Sequence, residues 1–293
     1  MKEPTYYDLP LLKPPVWTWE IPLYFFAGGA AGAASVIGFA ARVTGAKPSL
    51  VRDARWIAAI GANVSAPLLI SDLGRPERFL NMLRVFKPQS AMSVGAWALA
   101  GFGACSTGAV LGPRVLRDVA AAGSALFGLV MSTYTGVLLG ATAIPAWNEH
   151  AATLPVHFAA SALASATSLL ELRDHDEAAL NALAALAAAF ETWTGYQLER
   201  RSRVARAFQP AAGGDGDAGK KARATRETPS TPSTTMRTAG VLSGPVPLAL
   251  RIIGMKSKKA RRVAAAITIA GSIVTRFAWV EAGKRSAAQA MRR

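Results

Sequence analysis

Residues 21–43, IPLYFFAGGAAGAASVIGFAARV, run through 23 positions with no charge before Arg42. About 20 apolar residues in a helix cover the roughly 30 Å of bilayer hydrocarbon, so this stretch predicts a membrane span. Gly28, Gly29 and Gly32 supply a Gly-x-x-x-Gly spacing that lets a second helix approach its backbone. Working outward, further apolar runs occupy 56–70, 91–111, 119–144, 154–172, 178–198, 239–254 and 263–280. The expected fold is an all-α, multi-pass transmembrane helix bundle of about eight spans. The seventh is weakened by Pro245 and Pro247.

Composition agrees with that reading. Of 293 residues, 51% are hydrophobic and 17% are charged, and the apolar residues come in blocks. The net charge of +15 raises nucleic acid as a partner, but the basic residues lie between and beyond the apolar blocks rather than in one groove. Topogenic charge and contact with lipid head groups explain them better, and no nucleic-acid partner is expected. One cysteine, Cys105, excludes an Fe–S cluster or thiolate metal site built from this chain alone. Of the three histidines, His150, His157 and His175, only His157 falls in a span, so bis-histidine haem ligation between helices is not expected.

The chain divides into an N-terminal membrane bundle (1–198), a basic segment (199–238) and two last spans with a basic tail (239–293). The middle segment carries nine Lys and Arg among small and polar residues, and its composition predicts disorder. The first twenty residues hold Trp17 and Trp19 and several prolines, suited to the head-group layer rather than to a cleavable leader. With eight spans both termini share one side, together with the loop after span two. An excess of Lys and Arg there favours the cytoplasmic side.

The second run ends in Asp72-Leu73-Gly74-Arg75-Pro76-Glu77-Arg78-Phe79, two acids and two arginines at the membrane rim. Alternating span direction brings the start of span one, the ends of spans two and four and the start of span five to one face. Glu20, Asp72, Tyr134 and His157 can then share a polar pocket. An Asp72–Arg75 pair that merely stitches the loop is the plainer reading of the cluster. Glu191 and Arg276 are isolated intramembrane charges; both should face the bundle interior, where they can pair or carry protons.

Together, WTWEIPLYFFAGGAAG (17–32), DLGRPERF (72–79), FKPQSAMSVGAW (86–97), STYTGVLL (132–139), PAWNEH (145–150), LPVHFAASAL (154–163) and RFAWVEAGKRSA (276–287) resemble the NrfD family of polysulfide reductase membrane subunits. The resemblance implies a subunit of the bacterial cytoplasmic (inner) membrane with no haem, Fe–S or metal centre of its own. Such a subunit exchanges electrons between a quinone (menaquinone or ubiquinone) and a docked ferredoxin-like Fe–S subunit. A molybdopterin or multihaem catalytic subunit completes the complex. It further implies quinone contacts at Trp17, Glu20, Tyr24, Asp72, Arg75 and Tyr134, and span alternation adds His157 to that cofactor-binding group.

Quinone reduction consumes two electrons and two protons. Tyr134 can donate a hydrogen bond to a carbonyl oxygen, while Glu20 or Asp72 can relay protons. A secondary transporter is an alternative suited to intramembrane charges and broken helices, although the second half does not repeat the first. A structural membrane anchor without quinone chemistry is another.

Overall fold

The computed structural model describes residues 15–75, 77–207, 234–254 and 257–290. Every regular element among them is α-helical: α1 (Glu20–Val43), α2 (Pro48–Asp72), α3 (Glu77–Met82), α4 (Ala91–Leu111), α5 (Arg114–Gly140), α6 (Pro145–Asn148), α7 (Leu154–Leu172), α8 (Ala178–Ala207), α9 (Thr234–Ser243), α10 (Pro245–Ile253) and α11 (Lys258–Ala290). Helices α1, α2, α4, α5 and α11 are long and apolar enough to cross a membrane. The protein is a multi-pass membrane helix bundle.

Small residues decide how the helices meet. A Cβ on Gly32 would stand 2.5 Å from the Gly128 carbonyl oxygen, and one on Gly61 would stand 2.5 Å from the Ala31 Cβ. Helix α1 therefore lies backbone to backbone against α5 and α2, as its glycine spacing predicts. Without water to drive apolar surfaces together inside a bilayer, such close contact supplies much of the attraction. Ser35 reinforces it by donating to the Ser124 carbonyl at 3.1 Å. Gly32→Val is expected to destabilise the bundle by about 1–3 kcal/mol through overpacking. A melting temperature in detergent equal to wild type would show that α1 and α5 can separate without loss.

Contacts at both ends make neighbouring helices antiparallel. Gly38 meets Ala54 while Gly61 meets Ala31; Gly101 meets Phe127 while Gly108 meets Ala120; Gly136 meets Pro155 while Gly140 meets Ala151. The starts of α1, α4 and α7 and the ends of α2, α5 and α11 gather at one end of the bundle. The α7–α8 turn and the start of α11 gather at the other.

That second end is tied by charge. Buried Asp53 accepts from His175 Nε2 at 3.1 Å and pairs with Arg52 and Arg173, each at 3.4 Å. Buried Glu171 pairs with Arg251, which also donates to Ser168 Oγ at 3.0 Å. In the turn, the hydrogen bond from Lys258, 2.7 Å away, holds the Asp176 carboxyl below its ordinary range.

Several expectations need adjusting. Residues 239–254 do not form one helix: the chain breaks at Gly244, and α9 and α10 are separate short helices, both packed on α11. Pro245 begins the second, at a position where its missing N–H costs nothing. Helix α8 continues past residue 198 to Ala207 through a run of mostly good helix formers. Residues 208–233, the greater part of the expected basic disordered segment, lie outside the described residues. Pro67 sits within α2, which runs on to Asp72.

Candidate functional site

Helix α2 ends at Asp72, and Gly74 adopts φ +66°, a left-handed conformation that glycine accepts without strain. The chain thus turns sharply after Asp72 and leaves that carboxylate at the helix end beside the segment leading into α1. There the Thr18 backbone N–H donates to Asp72 Oδ1 at 3.0 Å, and the Thr18 hydroxyl stands 3.0 Å from the same oxygen. The same hydroxyl also contacts the Glu20 carboxylate. A hydroxyl has one proton to donate, so it can serve either acid but not both at once. Glu20 and Asp72, far apart in sequence, are joined through a single side chain.

Beneath this group lies an aromatic layer. Tyr24, one helical turn after Glu20, is fully buried, and its phenol approaches that of Tyr134 on α5. The Tyr24 hydroxyl has no hydrogen-bond partner among the described residues. Tyr134 is 5% exposed and packs over Gly95 of α4, where any Cβ would overlap its ring. Trp17 stacks on buried Trp147 with centroids 5.3 Å apart and planes 18° apart, and it meets the Phe25 edge at 6.0 Å. Trp147 donates from Nε1 to the Trp279 carbonyl at 2.8 Å. The indoles therefore fasten the segment carrying Thr18 to α1, α6 and α11.

Of the residues singled out in the sequence, Trp17, Glu20, Tyr24, Asp72 and Tyr134 converge at this end. Arg75 is exposed and makes no ion pair with Asp72, so the loop-stitching pair is replaced by the Thr18 contact. His157 turns elsewhere: its Nδ1 lies 2.9 Å from Thr194 Oγ1 of α8. It belongs with a second buried polar group containing Glu191 and Arg276, each 1% exposed. These two charges do face the interior, but they do not form an ion pair. Arg276 instead lies 3.7 Å over the Phe158 ring and donates to the Phe158 carbonyl at 3.2 Å. Neither Glu191 carboxylate oxygen has a hydrogen-bond partner among the described residues.

Thr18 and Trp147 are members of this group that the sequence reading did not single out. Trp147 gave a signal, a tryptophan directly after Pro145-Ala146 in a short loop. Thr18 gave only its place between two tryptophans.

The arrangement can do two chemical tasks. Its acids and hydroxyl can accept, hold and pass protons at the rim, and its two phenols can orient a carbonyl-bearing ring below them. Among the described residues, no group of three or more His, Cys, Asp or Glu side chains could hold a metal ion.

In comparison with known families, residues 4–199, more than half of the chain, match the family NrfD_2, described as polysulfide reductase. No curated protein matches the chain.

Proposed function

Because this chain belongs to the NrfD polysulfide reductase family, we propose that it is the quinone-reactive membrane subunit of a multi-subunit oxidoreductase. The observation that carries this reading is the joining of Glu20 and Asp72 through the Thr18 hydroxyl, directly above the Tyr24 and Tyr134 phenols. A quinone headgroup needs hydrogen-bond donors at its carbonyls and a proton route to water. Tyr134 provides the first, with Tyr24 beside it. Asp72, Thr18 and Glu20 provide the second. His157, turned toward α8, acts at most indirectly, and Arg75 at the rim favours a reduced, anionic headgroup by its charge.

Electrons come from or go to a ferredoxin-like Fe–S subunit docked at one face, with a molybdopterin or multihaem subunit beyond it. In this reading the chain crosses the bacterial cytoplasmic membrane eight times. Helices α9 and α10 together form one broken crossing alongside α11.

The test is purification of the tagged chain in gentle detergent, with identification of co-purifying proteins and extraction of quinone from the same sample. An Fe–S subunit and bound quinone are expected; a folded preparation with neither would overturn the reading. Tyr134→Phe is expected to raise the quinone KM about fivefold, the worth of one hydrogen bond. Gly95→Ala, which pushes a methyl into the Tyr134 ring, should raise it in the same direction. An unchanged KM in both would remove Tyr134 from the site.

A further inference from the structure

At the opposite end from Asp72, the end of α1, the start of α2, the end of α4 and the start of α5 enclose a cavity of about 460 Å³. Four arginines line it, Arg42, Arg52, Arg55 and Arg117, together with Val51 and Trp56. Carboxylates do not balance them. Arg42 and Arg55 share one partner, Asp118, at 3.0 and 2.6 Å. Arg52 reaches Asp53 at 3.4 Å, but Asp53 is already held by Arg173 and His175. Arg117 donates only to the Gly112 carbonyl, at 2.8 Å, and has no carboxylate partner among the described residues. The buried Arg55 Nε has no acceptor among the described residues. Helices α2 and α5 also begin here without side-chain caps, so their N-terminal N–H groups add positive potential.

We propose that this cavity binds the phosphodiester head group of an anionic phospholipid. Guanidinium forks match phosphate oxygens in shape and charge, and basic cavities between membrane helices suit such head groups. Free phosphate shares that chemistry, but the surroundings favour the lipid. From Trp56, an exposed apolar row continues along α2 through Ile60 and Val64, spaced one turn apart and running from the arginines toward the middle of the bundle. A head group in the cavity lays its acyl chains along that row, whereas a soluble anion has no use for it. This site does not depend on the quinone reading, because it lies at the other end of the bundle and shares no residue with Asp72, Tyr134 or Thr18.

The test is native mass spectrometry of the full chain, purified in its complex and exchanged against vesicles of phosphatidylglycerol or of phosphatidylcholine. Wild type is expected to retain phosphatidylglycerol preferentially. Arg52→Gln and Arg117→Gln should each weaken retention about fivefold, and the double variant more steeply. Arg285→Gln, at the far end of α11, should retain lipid as wild type does. Variant melting temperatures measured without lipid show that the fold survives. Equal retention of the two lipids, or undiminished phosphatidylglycerol in the folded double variant, would overturn the proposal. Displacement of the lipid by millimolar inorganic phosphate would assign the cavity to a free anion instead.

Discussion

Asp72→Asn is expected to lower quinone-coupled turnover about 100-fold, the lower range for loss of a positioned acid or base. Asparagine keeps an oxygen that can accept from the Thr18 N–H, so the segment leading into α1 should stay docked. What it loses is the ability to carry a proton. The defect should therefore appear in kcat, with quinone KM little changed, and the complex should still assemble with its partner. Thr18→Val makes the complementary change: both acids remain, but nothing joins them. Turnover in that variant should fall between wild type and Asp72→Asn. Steady-state kinetics with a soluble quinone analogue separate these cases. Wild-type kcat in Asp72→Asn would remove the carboxylate from the proton route.

Arg251→Met should give the largest loss of stability. Arg251 and Glu171 are 5% and 4% exposed, and their ion pair fastens short α10 to α7. Removing one partner of a buried pair leaves the other charge without compensation and costs about 3–5 kcal/mol. For a chain of this size that corresponds to a fall in melting temperature on the order of 10 °C. Adding Glu171→Leu to Arg251→Met removes the stranded charge and should restore most of the loss, since an apolar replacement for a buried pair is often neutral. Thermal unfolding of the two singles and the double in detergent completes the cycle. An unchanged melting temperature in Arg251→Met would mean that apolar packing alone holds α10.

The long helices were legible because their signal is repeated over twenty residues and each position contributes little. The glycines of α1 were legible for a related reason: an absent side chain has few uses in a membrane helix other than close approach. Asp72 stood out because charge at the end of an apolar run is costly and therefore informative. Thr18 did not, since a hydroxyl next to tryptophans has no periodic partner and its role arises only when α1 and α2 fold back on each other. The Glu191–Arg276 pairing failed for a geometric reason. Both residues were correctly expected inside, but a guanidinium has five N–H donors and a flat face, and the Phe158 ring and carbonyl offered Arg276 a nearer neighbour. The depth of His157 followed from span alternation, whereas its contact with Thr194 depends on helix rotation, which the order of spans leaves open.

The stacked indoles of Trp17 and Trp147 have a practical consequence. Two such chromophores, with centroids 5.3 Å apart, are close enough for their ultraviolet transitions to couple, and a paired circular-dichroism band is the expected result. Trp147 is held by the Trp279 carbonyl, so the band's amplitude varies mainly with the position of Trp17. Because Thr18 is the next residue, this intrinsic optical signal reports whether the acid-bridging hydroxyl is in place, without any added label. Trp17→Phe should abolish it.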